Sequence, residues 1–369
     1  MRSLTPRPGV LDIQPYVPGR SSLPGQGEVM KLSANEGALG PSPGAVEAYR
    51  KAAALERYPD GDAAALREAI GRRHGLDPAR IVVGAGSDEI LYNLARGYAG
   101  VGDEVIYGAH GFNMYPIIAH SVGAAPVTAA EPELVFDIGN ALDKVTDKTR
   151  IVFIANPNNP TGTYIPADEL RRLRAGLPDD GLLVIDAAYA EFVTRNDYSP
   201  GTELVDQGAN TVMTRTFSKI YALAALRLGW AYCPPSVADV LNRLRAPFNV
   251  NTPAQAAGVA AVEDADHLAA ARDHNNIWHG WLTDRLAEAG LVTTPSVANF
   301  VLVRFPDETS RSADAAMRFL NARGIIPRDT TGYGLAGCLR ITIGTADEMR
   351  ATALAIADFM AGEAASGVA

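Results

Sequence analysis

The segment Arg150–Gly162, RIVFIANPNNPTG, decides the fold. From Ile151 to Ala155 it is apolar at every position; from Asn156 it is polar and stiffened by Pro157 and Pro160. A strand without a polar face has to be covered on both sides, as in a parallel sheet flanked by helices. Leu182–Asp186 (LLVID) repeats the pattern, as do Ile81–Val83, Glu104–Tyr107, Thr211–Thr214 and Leu228–Tyr232, and Pro126–Thr128 starts another strand. Helical stretches separate them. One opens at Pro43 and runs to about Ala54. The next is capped by Asp62, carries Leu66, Ala69 and Ile70 and ends at Gly75. Others run to about Tyr98 after Gly84–Glu89, over Phe112–Val122, and from Pro166 to about Ala175. This alternation predicts the α/β class: a mostly parallel central sheet with helices on both faces.

After Pro234–Pro235 the pattern changes. A long helical segment over about Val237–Ala289, with breaks near Pro247 and Pro253, precedes strand–helix–strand material at Phe300–Arg304, Ala313–Ala322, Ile325–Ile326 and Cys338–Ile343, and a last helix from Ala346 to about Ala361. These predict a smaller α+β domain. The expected division is an N-terminal arm over residues 1–44 that joins the small domain, a large domain over 45–240 and the small domain over 241–369. The first thirty or so residues, rich in Pro and Gly, read as extended chain, and Gly362–Ala369 as a frayed tail.

Composition narrows the partners. In 369 residues, 47% apolar, the net charge is −9 with no basic block, which argues against nucleic acid. No apolar run is long enough to span a membrane, and the start lacks the apolar core of a secretory signal. Cys233 and Cys338 lie far apart in apolar stretches, which predicts two packing cysteines in a reduced, cytoplasmic protein. No metal-ligand set is expected.

The polar motifs each follow a predicted strand, and ligands of such sheets bind at the strands' carboxyl ends. In Arg215–Gly229, RTFSKIYALAALRLG, Lys219 is flanked by apolar sequence. Burial lowers a lysine's pKa, and the neutral amine can attack a carbonyl to form a Schiff base. Thr216, Ser218 and Arg227 can hold a phosphate. An aldehyde and a phosphate on one small molecule describe pyridoxal phosphate. Gly86-Ser87-Asp88 opens a helix after a strand, which suits an anion or an ordinary helix cap. Asn156–Gly162 holds its asparagines rigidly, and an amide there can donate to a phenolate oxygen. Asp186 can pair with a protonated pyridine nitrogen, keeping such a ring an electron sink, and Tyr189 can donate to its oxygen. Phe112 either stacks on that ring or fills the core. Arg340, alone in the apolar CLRITIG, is costly to bury without an anion, and Arg328 is a second anion binder. Tyr16 and Tyr58 flank turns, and spacing leaves their roles open.

Together KLSANEGALGPSP, RYPDGD, VVGAGSDEIL, ANPNNPTGT, VIDAAYAEF, RTFSKIYALAALRLG, PSVANFVLV and GCLRITIGT resemble, in order and nearly over the full length, the fold-type I pyridoxal-phosphate-dependent aminotransferases, and within them the histidinol-phosphate aminotransferase family. The resemblance implies transamination of histidinol phosphate with 2-oxoglutarate, in histidine biosynthesis, with pyridoxal 5'-phosphate as cofactor; an aromatic amino acid aminotransferase, acting on phenylalanine or tyrosine, is the alternative. It implies that Lys219 bonds the cofactor, that Asp186 partners its ring nitrogen, that Asn159 and Tyr189 hold its ring oxygen, and that Phe112 stacks on it. Gly86, Ser87, Asp88, Thr216, Ser218 and Arg227 cradle its phosphate. Tyr58 reaches the phosphate bound in the other subunit, which implies a homodimer with shared active sites. Tyr16, Asn159, Arg328 and Arg340 hold the substrate, an amino donor or a 2-oxo acid acceptor. The chain departs from the family pattern at Asp186-Ala187-Ala188-Tyr189, His110-Gly111-Phe112 and Asn35-Glu36-Gly37.

Overall fold

The computed structural model describes residues 4–25, 27–52 and 55–362. In chain order its strands are β1 (Met30–Lys31), β2 (Ile81–Gly84), β3 (Glu104–Gly108), β4 (Ala125–Ala129), β5 (Thr149–Ala155), β6 (Leu182–Asp186), β7 (Thr211–Thr216), β8 (Gly229–Tyr232), β9 (Val292–Thr293), β10 (Phe300–Arg304), β11 (Ile325–Ile326), β12 (Arg328–Asp329) and β13 (Cys338–Thr342). Seven of them form one sheet in the order β2-β8-β7-β6-β5-β3-β4. All its pairings are parallel except those of β8, which runs against both β2 and β7. The carboxyl ends of β2, β3, β5, β6 and β7 therefore lie along one edge, and the reversed β8 brings its amino end, after Arg227, to the same edge.

Both faces of the sheet are covered, as its apolar strands require. Alternate residues point to opposite faces. Val82, Phe153, Val184 and Val212 join one core with Ile90, Leu91 and Leu94 of the helix Ser87–Tyr98 and Tyr115 and Ile118 of the helix Met114–Val122. Ile81, Val83, Met213 and Trp230 face the other way, onto Ala45, Leu66, Ile70, Ala254 and Ala257. Beside them Ile106, Val152, Ile154, Leu183 and Ile185 pack on Leu170 and Leu173 of the helix Ala167–Gly176. Each fully buried Leu, Ile or Val stabilises the sheet by about 1.5–3 kcal/mol.

A second sheet, order β12-β13-β10-β9, is antiparallel throughout. Its apolar residues share a core with Leu282, Leu320, Met349 and Ile356 from the helices Ala265–Glu288, Ala313–Ala322 and Ala346–Ala361. Leu32 lies in this core, and β1 pairs in parallel with β11. The fold is that of a fold-type I transferase, with the antiparallel sheet as its smaller part.

Local structure corrects two expectations. The helix Ala64–His74 is not capped by Asp62: both oxygens of the Asp60 carboxylate accept, from the Asp62 and Ala64 amides at 3.0 and 2.9 Å. The Asp60-Gly61 turn swings Asp60 over the helix start, and Asp62 faces solvent beside Arg245 instead. Pro253 does not break a helix. It stands in the first turn of Thr252–Glu263, where its missing N–H costs nothing, and the Asn251 side chain caps that turn. The breaks fall over residues 245–251, around Pro247 as expected, and at Asp264, which caps the next helix. The expected end of the first helix, at Ala54, and the tail beyond Gly362 lie outside the described residues; that helix runs from Pro43 to Lys51 with Ser42 as its cap.

Candidate active site

A cavity of about 320 Å³ opens on the shared strand edge, lined by residues of β6 and β7, the loops after β2, β3 and β5, the Lys31–Glu36 segment and the second sheet. After β7 the chain buries Phe217, Ile220, Tyr221 and Leu223 in the core, and this anchoring turns Ser218 and Lys219 toward the cavity. Lys219 Nζ donates to the Ala34 carbonyl at 3.1 Å and lies 5.8 Å from the centre of the Tyr189 ring. Burial, and then the charge of Arg340, push the Lys219 ammonium's pKa down to about 8.

Asp186, at the end of β6, is buried; the Tyr115 hydroxyl donates to it at 3.0 Å and that of Thr214 at 3.4 Å, and the Ala188 amide also bonds to it. Its carboxyl is pushed up to about 6, chiefly by burial. The helix Ser87–Tyr98 starts at the same edge without a side-chain cap. Arg227 reaches over that start, donating to Asp88 at 3.1 Å and to Ser218 at 3.4 Å. Gly86 is needed here: its φ is +80°, and a Cβ would stand 2.6 Å from the Arg227 guanidinium. Thr216 Oγ1 accepts from the Ser218 amide, which closes the turn. Phe112 lines the cavity, meets Tyr115 edge-on and also packs against the core beneath it.

The opposite wall comes from the second sheet. Arg340 and Arg328 are cross-strand neighbours on β13 and β12. Arg340 is 3% exposed; it donates to the Ser33 carbonyl at 2.7 Å and to Asn159 Oδ1, but its Nε has no partner. No carboxylate pairs with either arginine among the described residues. Burial holds the Arg340 guanidinium below its ordinary pKa. Arg328 donates to the Val17 carbonyl at 2.8 Å, and its guanidinium lies 6.0 Å from the Tyr16 ring. Two unneutralised buried arginines side by side make a site short of negative charge.

Of the residues singled out in the sequence, all but one gather here. Tyr58 does not: it is exposed, stacks on Phe248 at 4.7 Å, and does not line the cavity. Other residues were missed. Asn35, buried in a left-handed conformation, donates to the Tyr189 hydroxyl at 2.8 Å and pairs with Thr342. Tyr115 and Tyr333 also belong to the site. Asn35 stands in the turn-rich KLSANEG, the one available sign. Gly37 fits its place: a side chain there would press on Ala222 and on the Lys219 carbonyl.

The chain belongs to the aminotransferase class I and II family, whose model matches residues 27–356. It is 58% identical over 361 residues to the histidinol-phosphate aminotransferase of Paramagnetospirillum magneticum, covering 98% of this chain and 99% of that one. To that of Rhodospirillum centenum it is 56% identical, covering 97% and 99%. Among solved structures, the histidinol-phosphate aminotransferase of Sinorhizobium meliloti in complex with pyridoxal-5'-phosphate superposes with a TM-score of 0.85 at 29% identity, covering 91% of this chain and 92% of that one. The Thermus thermophilus aspartate aminotransferase with maleate gives 0.78 at 25%, covering 90% and 92%.

Proposed function

We propose that this protein transfers the amino group of histidinol phosphate to 2-oxoglutarate, giving imidazole-acetol phosphate and glutamate, with pyridoxal 5'-phosphate as cofactor. The observation that carries the reading is the pairing of a lysine of lowered pKa with two buried, unneutralised arginines across one cavity. The similar proteins named above support it. The residues fit the cofactor. Asp186 is a buried carboxylate without a cationic partner, and a protonated ring nitrogen supplies one. Asn159 and Tyr189 suit the ring oxygen, and Phe112 a ring face. The uncapped helix start at Ser87, with Asp88, Thr216, Ser218 and Arg227, suits a phosphate. When bound, the cofactor supplies an aldehyde to condense with amines and a ring that takes up an electron pair.

The rest is the work of this chain's residues. Lys219 Nζ, freed by the incoming amine, takes the α-proton of the amino donor and later gives a proton back. Asp186, ionised, holds a proton on its partner nitrogen. Arg340 and Arg328, with Tyr16, hold the substrate's anionic end, and Arg340 also fixes Asn159. One anion site accepts a phosphate in the first half-reaction and the side-chain carboxylate of glutamate in the second. The arginine pair suits a doubly charged group better than an aromatic side chain, so the aromatic amino acid reading is not favoured.

Residues 1–44 act as an arm on the small domain (241–369), and residues 45–240 as the large domain. The pairing of β1 with β11 supports this division, although the helix Thr252–Glu263 packs on the large sheet. The partner for Tyr58 is a second copy of the chain, and the place of the reaction is the cytoplasm. No helix among the described residues is long and apolar enough to cross a membrane.

Two measurements follow. Purified protein with pyridoxal phosphate, histidinol phosphate and 2-oxoglutarate is expected to form glutamate; none formed overturns the reading. With Lys219 held down to about 8, its neutral, nucleophilic fraction grows as pH rises through that value. Uptake of pyridoxal phosphate by the cofactor-free protein, followed by stopped-flow absorbance, should therefore accelerate with pH and level off above about pH 8. An unchanging rate across this range contradicts a lowered lysine.

A further inference from the structure

His110 stands two residues before Phe112. It is bonded on three sides. Its amide donates to Glu131, a buried carboxylate, and its carbonyl accepts from Asn158 Nδ2 at 3.4 Å. Its imidazole Nδ1 lies 2.7 Å from the Tyr333 carbonyl, an acceptor only, so Nδ1 carries the proton and donates. The two backbone bonds fix His110 to the large sheet and to the loop that carries Asn159. The side-chain bond crosses to the turn Thr330–Gly334, which joins β12, with Arg328, to β13, with Arg340. Inside that turn Thr330 Oγ1 contacts the Leu335 and Cys338 carbonyls at 2.8 Å, and the Tyr333 amide donates to Thr330. Those bonds set the turn's shape; they do not set its place against the large sheet. Tyr333 is buried and lines the cavity beside Arg328 and Arg340.

We propose that His110 is a positioning residue: its imidazole, by holding the Tyr333 carbonyl, keeps Tyr333 and the Arg328–Arg340 pair at the distance from Phe112 and Asn159 that the substrate requires. The inference rests on the function proposed above. It assigns His110 to substrate seating and not to cofactor binding or proton transfer, since its ring does not line the cavity. Asparagine can replace it, because its Nδ2 amide takes the place of the imidazole Nδ1, whereas alanine cannot.

The test uses the holoenzyme and the variants H110A and H110N, neither of which alters the backbone bonds to Glu131 and Asn158. Losing one hydrogen bond across the site is expected to raise KM for histidinol phosphate roughly 5- to 20-fold in H110A, with kcat within about threefold. Pyridoxal phosphate affinity should stay unchanged, Tm should fall by no more than about 4 °C, and H110N should return KM to within about threefold of the parent. Binding of inorganic phosphate to the holoenzyme, measured by calorimetry, should weaken in H110A by a similar factor and recover in H110N. That arm needs no turnover: a parent that does not use histidinol phosphate contradicts the proposed function, while the phosphate titration still judges His110. An unchanged KM and phosphate affinity in H110A overturns the inference. So does a drop in Tm and kcat that H110N fails to repair, which marks a residue that only supports the fold.

Discussion

Replacing Lys219 with alanine is expected to cut kcat by about 10⁴-fold or more, because both the nucleophilic amine and the proton carrier are lost. The protein should still fold. Lys219 makes one hydrogen bond, to the Ala34 carbonyl, while Phe217, Ile220 and Tyr221 hold the turn in the core. Removing a buried cation beside Arg340 relieves repulsion rather than breaking an ion pair, so Tm should not fall. The variant should keep pyridoxal phosphate through Asp186, Arg227 and the helix start at Ser87, but non-covalently. Borohydride should then fix no cofactor to the chain, whereas it fixes cofactor to the parent at Lys219. Retention of more than about a tenth of the parent's kcat would mean that another group moves the proton.

Replacing Arg340 with alanine is the second large effect, and it falls elsewhere. A charge-assisted hydrogen bond to a substrate anion contributes about 1.5–3 kcal/mol, so kcat/KM for histidinol phosphate should drop roughly 10- to 150-fold. The loss should appear mainly in KM. Arg340→Lys keeps a charge but not the planar fork that now spans Ser33 and Asn159, and it should recover only part of the loss. Cofactor affinity should change by less than about threefold, since Asn159 is one of several residues proposed to hold the ring. Cofactor and substrate losses of equal size would show that Arg340 serves the cofactor.

The sequence made the strand edge readable because its physics is local. A strand apolar through Ile185 that ends in Asp186 announces a buried sheet with chemistry at its end, and ANPNNPTG after β5 does the same. Lys219 was readable for a related reason: the apolar residues around it had to be buried, and they fix where it points. The opposite wall was only half readable. Arg340 stood out as a charge in an apolar strand, but nothing local says that it meets Ser33 and Asn159, or that Arg328 is its cross-strand neighbour. Asn35 and Tyr115 were missed for the same reason, since their partners Tyr189 and Asp186 are distant in sequence and met only through packing. Helix caps were the least legible detail. Asp60 and Asp62 are equivalent on composition, and only the path of the Asp60-Gly61 turn selects the first. Tyr58 is a limit of another kind: within its own chain it stacks on Phe248, away from the cavity.

The most direct test of the account is the ratio of kcat/KM for histidinol phosphate to that for phenylalanine, each with 2-oxoglutarate as acceptor. Two buried arginines that face the cavity with no carboxylate partner among the described residues predict a ratio well above one, about 10² or more, from the charge-assisted bonds that phenylalanine's side chain cannot make. A ratio below one would contradict it, and would assign the arginine wall to a purpose other than holding the donor's phosphate.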